Sequence, residues 1–232
     1  MSVFRKSFAT TGAAQEALRR TARLRGAGLP TPDGRPGQTG REVAFDHVTG
    51  LTGFNLLEAV PMSALLVPLG ALHDVTAGQV PEFDPLLRIR PRLGGDAPKW
   101  LMDALAQPAP AGAGRPVLLH GDFHVGQMIC DGAGDIWLID LDDLASGPEE
   151  ADLGNFIAHL ATSAAVARGG FNESIAFWQG EVLEGWSALG RGCEPLRLNR
   201  YLRLALIRRH LKLRAAGRRD YCAEIREYLS TP

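Results

Sequence analysis

The chain has 232 residues, 45% of them hydrophobic and 22% charged, enough for one sizeable domain or two lobes sharing a cleft. Its 25 basic and 26 acidic residues leave a net charge of -1, so nothing global calls for nucleic acid or an anionic membrane as partner. Cys130, Cys193 and Cys222 lie far apart with no C-x-x-C pair, which implies neither a disulfide framework nor a cysteine zinc site and fits a reducing, cytoplasmic setting.

No apolar run approaches the ~20 residues of a membrane helix. The first 26 residues are Arg-rich with Glu16 as their one acid, a superficial likeness to a transit peptide. A β-prone stretch at 3–8 and a helical pattern over 13–25 favour a folded start instead. Gly26 and Gly28, with Pro30 beyond, stop that helix. Residues 29–40 contain Pro30, Pro32 and Pro36, with Gly34, Gly37 and Gly40 in G-x-x-G-x-x-G spacing. A phosphate cradle would need a following Lys-Ser/Thr and a leading apolar strand. Neither is present, and the stretch reads as a plain turn.

Residues 41–48 form a predicted strand, with Val43, Phe45 and His47 on one face and Ala44, Asp46 and Val48 on the other. Residues 54–75 are apolar at helical spacing, interrupted at Pro61 and bent at Pro68. An irregular stretch covers 81–98, a short helix 99–106, and an Ala-Gly-Pro-biased loop or hinge 108–116. Short apolar runs follow at 117–119, 128–130 and 136–139, the last two flanking a D-G-A-G-D hairpin turn at 131–135. Beyond Pro148 the pattern is helical over about 149–168, 172–189, 195–215 and 218–229. This order predicts an α+β layout: a small mixed lobe, a larger helical lobe and a cleft at their junction.

The chemistry concentrates between residues 120 and 152: His120-Gly121-Asp122-Phe123-His124-Val125-Gly126-Gln127, then Ile139-Asp140-Leu141-Asp142-Asp143, then Ala151-Asp152-Leu153. Polar groups crowd between apolar strands, where a buried core would reject them. The hairpin between Gln127 and Asp140 returns the two close together, so both could face one ion. The strip resembles the catalytic segment of the aminoglycoside phosphotransferase and choline kinase group, relatives of the protein kinases, with its H-G-D-x-x-x-x-N, I-D-[WF]-[ED] and later D-L runs. The resemblance spans about residues 3–165 and is strongest over 119–155.

That resemblance implies a protein-kinase-like two-lobed fold, with residues 1–50 an abbreviated N-lobe and 51–232 a helical C-lobe. It implies transfer of the γ-phosphate of ATP or GTP, with Mg²⁺, to a small-molecule hydroxyl. Asp122 becomes the catalytic base, with His120 orienting the loop; Asp140 the main Mg²⁺ ligand, with Gln127 and Asp142 beside it; and Asp152 an anchor of backbone donors. Gln127 stands where the family has Asn, and its extra methylene displaces the carbonyl that a distortion-intolerant Mg²⁺ would meet. Asp143 reads as a solvated carboxylate and His124 as a local loop hydrogen-bonder.

For the nucleotide, the resemblance pairs Lys6 on the first strand with Glu16 on the first helix and makes Asp46, His47 and Val48 the segment that meets adenine. The family's two strands and glycine-rich loop before the lysine are not found ahead of Lys6. An abbreviated lobe, a cover from a partner subunit of a homo-oligomer, or a degenerate kinase with nucleotide binding but little turnover would each account for this. A rival reading takes His120, Asp122 and His124 as a metal-hydrolase cluster, although His47, His73, His159 and His210 lie in unrelated contexts. Residues 196–219 carry many arginines and no acid. That argues against a polycationic acceptor and for an anionic or neutral one; the alternative is a solvated helical face. Nucleic-acid binding by this stretch lacks interleaved aromatics beyond Tyr201 and Tyr221.

Overall fold

A computed structural model describes residues 2–95, 97–107, 116–218 and 221–231. The loop or hinge expected at 108–116 therefore falls outside the described residues except for Pro116, as does Arg219. The chain opens with β1 (Val3–Ser7), α1 (Thr11–Gly26), β2 (Gly34–Pro36) and β3 (Glu42–Asp46). The three strands form an antiparallel sheet with β3 in the middle and Lys6 opposite Val43. Helix α1 begins after Thr10, whose side chain accepts from the Ala13 N–H, two residues earlier than the helical pattern over 13–25 suggests. It buries Ala14, Ala17, Thr21 and Leu24, and ends before Gly28, whose φ of 86° suits glycine. The turn expected over 29–40 contains β2, a three-residue edge strand whose Pro36 needs no ladder donor.

The rest is built from β4 (Gly50–Thr52), α2 (Leu56–Ala59), α3 (Met62–Asp74), α4 (Leu86–Ile89), α5 (Lys99–Ala106), β5 (Val117–Leu119), β6 (Met128–Asp131), β7 (Ile136–Leu138), β8 (Ala145–Gly147), α6 (Glu150–Ala161), α7 (Phe171–Ala188), α8 (Pro195–Ala215) and α9 (Cys222–Ser230). Pro61 caps the start of α3, while Pro68 lies inside it. Two further antiparallel sheets form: β4-β6-β7, containing the expected hairpin, and the pair β5-β8.

The core of the helical part is α6, which packs between α7 and α8 and buries Leu153, Phe156, Ile157, Ala158 and Leu160 completely. Gly154 permits the close approach of α8, since a Cβ there would stand 2.6 Å from the Leu202 nitrogen. This core carries α6 up to the loop at residues 120–123, whose backbone Asp152 and Asn155 hold. Among the described residues, no single helix is long and apolar enough to cross a membrane.

Candidate active site

Strand β5 delivers His120 into a tight loop whose backbone is clamped from α6. Asp152, itself buried, accepts the N–H of His120 at 2.8 Å through Oδ2 and that of Gly121 at 2.9 Å through Oδ1. His73 of α3 donates to the same carboxylate from Nε2 at 3.1 Å. Gly121 has φ 78°, and a Cβ on it would collide with the Asp143 carbonyl, so this position accepts only glycine. The fully buried His120 donates from Nε2 to the Ile139 carbonyl at 3.1 Å, tying the loop to the residue before Asp140. Its contacts are those of a loop-orienting residue. Asn155 donates to the Phe123 carbonyl at 2.9 Å, and His124 accepts the Gly126 N–H through Nδ1 at 3.0 Å.

Asp122 emerges from this loop half-buried, and Arg208 of α8 donates to its Oδ1 at 2.8 Å. Burial alone would raise its proton affinity. The Arg208 hydrogen bond and charge outweigh that and hold the carboxyl well below the usual carboxylate range. Beside it the rings of His124 and His159 stack at 4.1 Å. Burial pushes His124 down to about 4, and burial with the Arg209 charge pushes His159 down as well, so both imidazoles are neutral at pH 7.

On the other side of the loop the β6–β7 hairpin brings Gln127 to Asp140 as expected: the Gln127 amide donates to Asp140 Oδ2 at 3.3 Å. Asp140 is left-handed at φ 58°, ψ 56°, an uncommon backbone for a residue with a Cβ and one that aspartate tolerates. Lys6 of β1 reaches across to form ion pairs with Asp140 and with Asp142, the latter at 2.7 Å. Burial alone would lower the proton affinity of its ammonium; hydrogen bonds to the two carboxylates outweigh that and raise it.

The expected Lys6–Glu16 pair is not formed. Glu16 is taken by its helical neighbours Arg19 at 2.7 Å and Arg20 at 3.0 Å, three and four residues on, while two carboxylates compete for Lys6. Arg20 also donates to the Asp142 carbonyl at 2.6 Å, linking α1 to the strip. A cavity of about 390 Å³ lies above these groups. Lys6, Asp46, His47, Val48, Gln127, Asp140 and Asp142 all line it, with the apolar Phe4, Phe45, Ile129 and Leu138 opposite; Glu16 does not.

Several participants come from distant elements. His73 and His159, assigned to unrelated contexts from the sequence, bind the loop anchor and stack on His124, respectively. Asp143 is solvent-exposed as expected but not unpaired: Arg88 of α4 pairs with it at 2.5 Å and also donates to the Gly121 carbonyl at 2.8 Å. The rival cluster also has a different composition. Asp122, His124 and His159 place one ligand atom each within 4.8 Å of one another, while His120 points to Ile139. Two rings stacked only 10° from parallel do not aim their lone pairs at one point, and Arg208 already occupies Asp122. The geometry disfavours a tetrahedral hydrolase site.

Residues 3–190 match the family described as the phosphotransferase enzyme family. The chain belongs to that family. Among solved structures, it is similar to a choline kinase from Streptococcus pneumoniae, at 13% identity over 98% of this chain and 84% of that one, with a TM-score of 0.68. An aminoglycoside phosphotransferase from Streptomyces rimosus is 21% identical over 89% and 86% of the two chains, with a TM-score of 0.62. An amicoumacin kinase in complex with AMP-PNP, Ca²⁺ and Ami is 13% identical over 99% and 81%, with a TM-score of 0.68. No curated protein matches the chain. At these identities the likeness establishes the fold: the phosphotransferase has the α+β, two-lobed, protein-kinase-like architecture that the sequence strip implies.

Proposed function

We propose that the protein transfers the γ-phosphate of a nucleoside triphosphate, ATP or GTP, to a hydroxyl of a small molecule, with Mg²⁺ as the metal. The observation that carries this reading is the cavity in which Lys6, the 46–48 segment, Gln127, Asp140 and Asp142 converge. Its apolar wall suits a base, and its charged floor suits a phosphate chain with its cation. The donor set fits a hard divalent ion: two partly exposed carboxylates and a carboxamide, with no sulfur or imidazole among the proposed ligands.

In this reading Asp140, Asp142 and Gln127 would hold Mg²⁺, which when bound neutralises charge on the phosphates. Lys6 would turn from the carboxylates to the phosphate oxygens, and Asp46, His47 and Val48 would border the base. Asp122 orients the acceptor hydroxyl and takes its proton, while His120 and Asp152 keep the loop in place. Positioning of this kind supplies most of the catalysis in phosphoryl transfer. The free thiols of Cys130, Cys193 and Cys222 are in keeping with a cytoplasmic location. We place the joint between the lobes at residues 47–49, because Gly50 already pairs with Asp131 of the hairpin sheet.

A second reading, a kinase-like nucleotide binder with little turnover, is favoured by one feature. Lys6 covers both metal-site carboxylates while Arg208 covers Asp122. Melting curves with nucleotides, with and without Mg²⁺, separate the two. Stabilisation that needs both, and disappears in Asp140→Ala, is expected for the transferase. Nucleotide stabilisation indifferent to Mg²⁺ would favour the binder, and no nucleotide response would remove both.

A further inference from the structure

Cations from three elements gather around the loop that carries Asp122. Helix α8 contributes Arg208, Arg209 and Lys212; α4 contributes Arg88; and the turn after α4 contributes Arg92. Arg208 sits on Asp122 at 2.8 Å, Arg88 on Asp143 at 2.5 Å, and Arg209 donates to the Thr162 hydroxyl at 2.8 Å. Lys212, one helical turn from Arg208, feels Arg208, Arg209 and Arg92 as like charges and Asp122 as the opposing one. Asp122 and Asp143 are the carboxylates of this cluster. His124 and His159 are neutral and do not alter the balance.

These cations are also under-used. Among the described residues, Arg208 makes its one hydrogen bond to Asp122, and its buried Nε has no partner. Lys212 faces solvent and makes no hydrogen bond or ion pair there, and partial desolvation with the neighbouring arginines lowers the proton affinity of its ammonium. A guanidinium with free donors beside a partnerless ammonium is a recognition site for an oxyanion. A polycationic or quaternary-ammonium acceptor would meet an excess of like charge.

We infer that the acceptor alcohol carries an anionic group, a carboxylate or a phosphate, held by Arg208 and Lys212 while its hydroxyl meets Asp122. This assignment rests on the phosphoryl-transfer reading above. It also gives the Arg208–Asp122 contact a purpose. The acceptor's anion draws Arg208 away and frees the Asp122 oxygen that the ion pair occupies in the unliganded protein. The hydroxyl oxygen then bonds to the γ-phosphorus as its proton passes to Asp122, and the bond from that phosphorus to the bridging oxygen breaks to release nucleoside diphosphate.

The test measures binding and turnover of matched probes by the full chain: glycerate, glycerol 3-phosphate, glycerol and choline, with ATP and Mg²⁺ for turnover. At least one anionic probe is expected to bind about tenfold or more tighter than glycerol. The carboxylate and phosphate arms show which anion is preferred. Arg208→Gln is expected to erase that preference, and the solvent-facing Lys212→Gln to weaken it in a chain that folds normally. Glycerol or choline binding as well as both anionic probes would overturn the inference, as would an anion preference unchanged in both variants. Phosphorylation confined to glycerol or choline would overturn it while leaving the transferase standing. Absence of any nucleotide response would remove the transferase reading and this inference with it.

Discussion

Asp122 and its neighbours make signed predictions at the scale of single residues. Asp122→Asn keeps the shape of the side chain and its place beside Arg208 but removes the proton acceptor. Turnover is expected to fall by about 10²–10⁴-fold, the usual contribution of a general base. Asp122 does not line the nucleotide cavity, so nucleotide-induced melting shifts should persist in that variant. Retained turnover would take Asp122 out of the base role. His124 predicts a pH dependence of stability. Burial takes its imidazole from an ordinary 6.5 to about 4 in the folded chain. Between those values the unfolded chain binds the proton and the folded chain resists it. The stabilisation is therefore complete above about pH 6.5 and is lost as the pH falls towards 4. Melting temperature should decline across that window, and His124→Gln should flatten part of the slope. An equally steep decline in the variant would assign the effect to His159 or to carboxylates.

At the scale of elements, the loop that carries Asp122 depends on α6. Asp152 satisfies two backbone N–H groups and His73 at once inside the core. Asp152→Ala would strand all three donors without water. The expected destabilisation is about 3–5 kcal/mol in urea titrations; a loss under about 1 kcal/mol would mean the loop holds itself. This element also shows what the sequence could disclose. The Asp-Leu pair opening a helix was legible through the family resemblance, although it meets the loop 31 and 32 residues away. Local pattern alone made legible the hairpin that returns Asp140 to Gln127 and α5, whose observed range matches the expected 99–106. The three-residue strands β2, β4 and β8 were not legible, because such strands are defined by partners far along the chain rather than by their own periodicity. His73, His159, Arg88 and Arg208 escaped for the same reason, as each meets the strip only through tertiary packing. The Lys6–Glu16 expectation failed because two arginines on the same helix were nearer partners for Glu16.

At the scale of the whole molecule, the small sheet and the helical part are joined by contacts that end on residues 138–142. Lys6 reaches Asp140 and Asp142, Arg20 reaches the Asp142 carbonyl, and the Leu138 N–H donates to the Pro30 carbonyl at 2.9 Å. The Lys6 ion pairs are partly solvated, with the carboxylate side chains about 40% exposed, so they contribute at most about 1 kcal/mol to folding. In the proposed reading their value is as a competition: Lys6 and a divalent cation would seek the same two carboxylates. Lys6→Met should therefore act in opposite directions on two ligands. Without ligand its melting temperature is expected to stay within about 4 °C of the parent, the shift that 1 kcal/mol gives a chain of this size. Mg²⁺ alone should stabilise the variant more than the parent, because no ammonium has to be displaced. The nucleotide with Mg²⁺ should stabilise it less, because the phosphate chain loses its cation. A fall of ten degrees or more without ligand would make Lys6 a structural brace. Weaker binding of Mg²⁺ alone would show that the ammonium does not compete with the ion for Asp140 and Asp142.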